Sequence, residues 1–153
     1  MQFFSRVKDI LGLTVGLEEF LPIWDEIFFL TDENRAVYNL ARILNERYTL
    51  ALLSNINQEH YEYIKKTFLV LDAFHYCFTS FELGMRKPAP EVYKTIIRKL
   101  NVPAPDVFYT DDRPELVESA LKLGLQAFVY KGISKLKRDL TGSGVDINLS
   151  ANG

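Results

Sequence analysis

The chain has 153 residues, 48% hydrophobic and 25% charged, with a formal charge of −2 and a pI near 5.7, which suits one globular domain with a real core and gives no broad basic surface for nucleic acid or an anionic membrane. No apolar run reaches the roughly 20 residues of a membrane span, because Asp25, Glu26 and Asp72 interrupt the greasiest segments. The start, Met1 to Arg6, has no basic region leading into a long apolar core, and the single Cys77, in the run Tyr76-Cys77-Phe78, reads as a small buried hydrophobe, so the expected location is the cytoplasm.

Residues 1–47 read as helical throughout: 3–11, then 17–29, then 33–47. In the second helix Leu17, Phe20, Leu21, Trp24, Ile27 and Phe28 recur at spacings of three and four, which lays one apolar stripe for packing. From residue 48 short apolar runs alternate with amphipathic helices, the pattern of parallel strands joined by helical crossovers. The predicted order is strand 49–53, helix 61–71, strand 76–79, helix 90–100, strand 106–110, helix 114–123 ended by Gly124, strand 126–130 and helix 133–140. The tail, 141–153, is flexible in composition, although Val145, Ile147 and Leu149 alternate like a short strand.

Chemistry-bearing residues follow the strands. Strand 49–53 runs into Ser54-Asn55, the third strand empties into Asp111-Asp112, and Lys87 lies between them in Gly84-Met85-Arg86-Lys87-Pro88. Ligands of open α/β sheets collect at the carboxyl ends of the strands, so topology brings hydroxyl, lysine and paired acids together. Paired carboxylates suit Mg²⁺, a hard cation that keeps waters and phosphate oxygens as its other ligands. Lys87 can neutralise a phosphoryl oxygen and Ser54 can donate a hydrogen bond to another. Each group also has a bland reading: Asp112 and Glu115 fit a helix capping box, Ser54-Asn55 fits a turn, and Lys87 before a proline fits an extended surface loop. It is their joint order that points to a phosphate and metal site.

The segments Leu52-Leu53-Ser54-Asn55, Ser80-Phe81-Glu82-Leu83-Gly84-Met85-Arg86-Lys87-Pro88-Ala89-Pro90-Glu91-Val92-Tyr93 and Phe108-Tyr109-Thr110-Asp111-Asp112-Arg113-Pro114-Glu115 resemble motifs II, III and IV of the haloacid dehalogenase (HAD) superfamily, in the family's order. The likeness runs nearly to Leu140 and is nearest to the capped, phosphatase-like branch. It implies an α/β fold: a Rossmann-like core with a parallel sheet, here 33–140, preceded by the remainder of a helical cap, 1–32, and followed by the tail. It further implies a Mg²⁺-dependent phosphatase working through an aspartyl-phosphate. Ser54 would hold the phosphoryl group, Lys87 would stabilise nucleophile and phosphate charge, Asn55 would contact substrate, and Asp111 with Asp112 would hold Mg²⁺. Leu116 stands where many members carry Asn.

Members open with a strand ending in the D-x-D-x-[TV] pattern of motif I, which supplies the nucleophile. The expectation is that this strand is absent here, since Asp9, Asp25 and Asp32 lie in or beside helix patterns, and that the chain alone is inactive. Asp146-Ile147-Asn148-Leu149-Ser150 echoes the motif faintly. A strand-completing partner or self-association would close the sheet. The expected partner is a small phosphorylated metabolite, with neither nucleic acid nor membrane. Two rivals stand beside this reading: a non-catalytic module binding Mg²⁺, phosphate or a partner, and a 2-haloacid dehalogenase, which needs no metal and lacks the acid pair. A response-regulator receiver also groups acids, hydroxyl and lysine, but in a different order.

Overall fold

The structure, a computed structural model, describes residues 2–25 and 28–148. The chain divides into two compact units, residues 1–30 and 31–153.

The first unit contains α1 (Gln2–Leu11) and α2 (Leu17–Asp25). Gly12, at φ 62°, leaves the helical region where α1 ends, and the Glu19 carboxylate accepts the Gly16 N–H at 3.0 Å. The Phe4 and Phe20 rings lie 5.1 Å apart, and Phe20 stacks on Trp24 at 5.5 Å. The apolar stripe thus packs as predicted, but α2 ends at Asp25 instead of continuing to residue 29. The predicted continuation at Ile27 lies outside the described residues, and Phe28 to Leu30 are not helical. Thr31 already has the extended backbone of a helix N-cap (φ −79°, ψ 166°), so the chain uncoils before the next helix can start.

The second unit is α/β. Its elements are α3 (Asp32–Asn45), β1 (Ala51–Ser54), α4 (Gln58–Thr67), β2 (Tyr76–Thr79), α5 (Ser80–Leu83), α6 (Pro90–Leu100), β3 (Phe108–Asp111), α7 (Pro114–Leu121), β4 (Gln126–Val129) and α8 (Ile133–Gly142). Thr31 and Asn34 form a reciprocal capping box on α3. Asn57 caps α4 through the His60 N–H at 2.8 Å, which starts this helix three residues before the predicted 61. Phe68 then turns extended, and a 3₁₀ turn, Leu69–Ala73, takes up the rest of the predicted helix.

β1 pairs with β2 and β3 with β4, both in parallel, with Ser54 opposite Thr79 and Asp111 opposite Val129. Among the described residues neither β1 nor β3 has a second strand neighbour. Alternate strand residues point to opposite faces, and each face has its own cluster. Leu53, Tyr109 and Val129 pack with Tyr93 of α6 and with Val117 and Ala120 of α7. Leu50, Phe108 and Tyr130 pack with Leu40 and Leu44 of α3 and with Leu136 and Leu140 of α8. Both strand pairs therefore lie in one layer between helices, which brings the ends of β1 and β3 to the same edge.

The stretch just past α8 is anchored. Val145 and Ile147 pack against the α3/α8 cluster, the Asp146 N–H donates to the Tyr48 hydroxyl at 2.9 Å, and Asp146 pairs with Arg47. The faint motif I echo at 146–150 thus begins in a packed, non-strand segment, and Leu149 and Ser150 lie outside the described residues. Among the described residues no helix is long and apolar enough to cross a membrane.

α3 and α8 are also joined at their starts. The Glu33 carboxylate accepts from the Tyr130 hydroxyl and from the Ile133 N–H, supplying the cap that Gly132 cannot give α8. Burial, with Glu33 alongside, pushes the Tyr130 phenol up to about 12. Glu33→Ala is expected to lower stability by about 1 kcal/mol, as loss of a helix cap does, read as a lower urea midpoint with unchanged m-value; an unmoved midpoint would show that the cap contributes nothing.

Candidate active site

At the end of β1 the backbone carbonyl of Leu53 accepts a hydrogen bond from the Lys87 ammonium at 2.8 Å. Lys87 reaches this point because its loop is fixed to the strand. Gly84, at φ 64°, closes α5 in the left-handed region and releases the chain into residues 85–89. The Asn55 side chain then clamps that loop: its amide donates to the Lys87 carbonyl and its oxygen accepts the Lys87 N–H, both at 2.9 Å. One primary amide thus imitates a strand partner for a single residue, and both of its faces are occupied. A second contact, from the Ser80 hydroxyl to the Ile56 carbonyl at 3.0 Å, ties the start of α5 to the segment after β1 that carries Asn55.

Across the layer the same ammonium meets Asp111 at the end of β3, 2.6 Å from Oδ2. The Lys87 and Asp111 side chains are 8% and 9% exposed, so the pair is desolvated. The Tyr109 hydroxyl donates to the same oxygen at 2.8 Å, and the Arg113 N–H donates to Oδ1 at 3.1 Å. Burial alone would raise the Asp111 carboxyl, but these donors, Lys87 first, outweigh it and hold the group below the usual carboxylate range. Lys87 also lies 5.8 Å from the centroid of the Tyr109 ring, within cation–π range.

The remaining predicted residues sit at the same edge in different states. Ser54 ends β1, half-buried, one residue past the carbonyl that holds Lys87. Asp112 is exposed and, among the described residues, makes no hydrogen bond. The capping box read from Asp112 and Glu115 does not form: Arg113 occupies the cap position without a side-chain bond, and Glu115 pairs with the Arg113 guanidinium. Leu116 is buried, and its carbonyl accepts from the Tyr93 hydroxyl at 3.0 Å.

The donor set is compatible with a hard divalent cation. Asp111 Oδ2 is filled by two donors, but Oδ1 carries only one, and the Asp112 carboxylate is open to solvent. Among the described residues no group of three or more His, Cys, Asp or Glu gathers as a cage. Two carboxylates completed by water and phosphate oxygens are a usual arrangement for Mg²⁺, whereas an all-protein cage is not.

Tyr109 is the site residue that motif spacing did not single out. The signal was present, since residues i and i+2 of a strand share a face and Tyr109 is i to Asp111.

The depressed Asp111 carboxyl has a definite pH consequence. It contributes stability above about pH 4, the unfolded value, and that contribution disappears as pH falls through the lower folded value. Lys87→Met removes the main opposing donor and leaves a buried carboxylate, so it is expected to cost about 3 kcal/mol at pH 7 and less near pH 4, where Asp111 is protonated in the variant. Urea unfolding at the two pH values measures this, and an equal cost at both would argue against a buried ion pair.

Known proteins resemble this chain in sequence and in fold. A family model described as "Haloacid dehalogenase-like hydrolase" matches residues 18–130. A D-ribitol-5-phosphate phosphatase of Bacteroides thetaiotaomicron is 25% identical over 92% of this chain and 70% of its own length. A chloroplast flavin mononucleotide hydrolase of Arabidopsis thaliana is 32% identical over 47% of this chain, a match spanning only 29% of that protein. Among solved structures, the magnesium complex of a HAD-family enzyme from Bacteroides thetaiotaomicron superposes with a TM-score of 0.77 at 27% identity, covering 90% of this chain and 73% of that one. The same enzyme with magnesium and inorganic phosphate gives 0.74 at 27% identity, over 85% and 68%. With a family model covering most of its length and a mixed helical and parallel-sheet fold that matches, this chain belongs to the haloacid dehalogenase-like hydrolases.

Proposed function

We propose that the protein serves a Mg²⁺-dependent phosphohydrolase reaction on a small phosphorylated metabolite, with Lys87, Asp111, Asp112 and Ser54 at its centre. The buried Lys87–Asp111 pair at the carboxyl edge of the strands carries this reading. A desolvated ammonium held on a carbonyl and a carboxylate is a fixed positive charge, aimed where a phosphoryl group and its attacking carboxylate would both lie. Relatives named for hydrolysis of ribitol phosphate and flavin mononucleotide support phosphate chemistry, as does a related enzyme bound to magnesium and phosphate.

In this reading Asp112 and Asp111 would hold Mg²⁺, with Asp111 keeping Oδ2 on Lys87. When bound, the cation withdraws charge from the phosphoryl oxygens. Ser54 donates to one phosphoryl oxygen, and Lys87 neutralises another. Asn55, first read as a substrate contact, acts here by fixing the Lys87 backbone. A carboxylate attacking phosphorus would form an aspartyl-phosphate and release the alcohol, and water would then free inorganic phosphate. The acids described beside Lys87 are already engaged or placed for a cation, so the nucleophile comes from elsewhere. The open edges of β1 and β3 could take a strand between them, from this polypeptide or a second one, whose end would meet Lys87.

That same shortage favours a second reading, a module that binds Mg²⁺ or phosphate without turnover. A dehalogenase is a weaker alternative, because the adjacent acids suit a cation and phosphate better than a halide.

Phosphate release from alditol phosphates, sugar phosphates and flavin mononucleotide, with and without Mg²⁺, tests the assignment. Asp112→Asn is expected to lower Mg²⁺-dependent release at least about 100-fold, as loss of one preorganised charge contact does. Turnover unchanged in that variant would sink the metal assignment. Mg²⁺ binding by the unaltered chain without any release would favour the binding module.

A further inference from the structure

Tyr109 sits at the middle of β3 with its ring edge-on to Tyr93, 5.6 Å between centroids and 90° between planes. The ring packs in the cluster of Tyr93, Val117, Ala120, Leu125 and Ala127, a role phenylalanine would fill equally well. The hydroxyl is therefore superfluous to packing, and a hydroxyl taken from water costs stability unless it is bonded. It is bonded to Asp111 Oδ2, the oxygen that also holds Lys87. The ring of the same residue faces the Lys87 ammonium, so Tyr109 touches both members of the pair.

A carboxylate presents about four acceptor positions. Lys87 and Tyr109 take both on Oδ2, and the Arg113 N–H takes one on Oδ1. Without the hydroxyl, Oδ2 would keep an open position and the carboxylate could turn about its terminal torsion, which is soft. With it, the rotamer is fixed and the open position lies on Oδ1, the oxygen that faces the Arg113 N–H and the chain turning into α7.

We propose that Tyr109 is a positioning residue: its hydroxyl locks Asp111 so that Oδ2 anchors the Lys87 ammonium and Oδ1 alone is offered to a bound ligand. The role of that Oδ1 rests on the phosphohydrolase reading above, whereas the lock on Lys87 does not. Tyr48 is the matching control, because its hydroxyl accepts from the Asp146 N–H and its ring packs in the α3/α8 cluster, apart from Tyr109.

The test follows the Lys87 ammonium by nitrogen-15 NMR in the full chain, where a desolvated, paired ammonium gives a separate, slowly exchanging resonance. Tyr109→Phe is expected to abolish that resonance while the backbone amide spectrum stays folded, and Tyr48→Phe is expected to leave it in place. A Lys87 resonance unchanged in Tyr109→Phe, or lost equally in Tyr48→Phe, would overturn the proposal. Should Tyr109→Phe fail to fold, the unaltered chain decides: the Tyr109 hydroxyl proton should be protected from exchange and visible, and exchange at the rate of an exposed phenol would overturn the lock. Titration with Mg²⁺ then separates the two readings. Movement of the Asp111 and Asp112 carboxyl signals with Lys87 unmoved supports the offered Oδ1, and Mg²⁺ that moves neither carboxyl overturns the metal reading while the Lys87 result stands.

Discussion

A lysine ammonium and an aspartate carboxylate, each about nine-tenths removed from water and 2.6 Å apart, are what the carboxyl edge of this sheet layer depends on. Desolvating two charges is expensive, and their attraction offsets that cost only when geometry is good and the remaining donors and acceptors are satisfied. Each neighbour supplies one of those conditions. The Leu53 carbonyl takes a second ammonium proton, Tyr109 and the Arg113 N–H complete most of the carboxylate, and the Asn55 amide fixes the loop from which Lys87 extends. A pair of this kind is weak evidence of stability for its own sake. Its natural reading is a prepositioned charge, which is what phosphoryl transfer requires.

The pair also ties the two halves of the sheet layer together. β1 with β2 and β3 with β4 are separate hydrogen-bonded pairs, joined through shared helical faces and through Lys87, which contacts β1 by a carbonyl and β3 by a carboxylate. Leu53 of β1 packs in the same cluster as Tyr109 and Val129, so the layer continues past the point where the ladder is interrupted. Site and scaffold are therefore coupled: a change that loosens Lys87 loosens the contact between the strand pairs as well.

Much of this was legible in the sequence, for identifiable reasons. Strand residues with apolar runs on both faces marked the parallel layer, and the acids, lysine and hydroxyl at their ends marked the candidate site. Strand positions were right to about two residues, as Ala51–Ser54 against 49–53 shows. The misses came from single polar side chains acting over short range. Asn57 starts α4 early, and Thr31 enforces an extended residue where the apolar period ran on. The Asn55 clamp and the Tyr109 bond depend on how close the loop and strands come, which spacing does not encode. Asp112 suited a cap in sequence, but with Arg113 in the cap position it points to solvent.

The links of α3 to the far end of the second unit bear on how this protein is made. Glu33 bonds Ile133, and Arg47 and Tyr48 hold Asp146, across about a hundred residues. Leu40 and Leu44 of α3 are synthesised about a hundred residues before their partners Leu136 and Leu140. A nascent chain therefore carries the apolar face of α3 without its mate while that stretch is being made. Pairings so distant in sequence form slowly and leave apolar surface open to aggregation in the meantime.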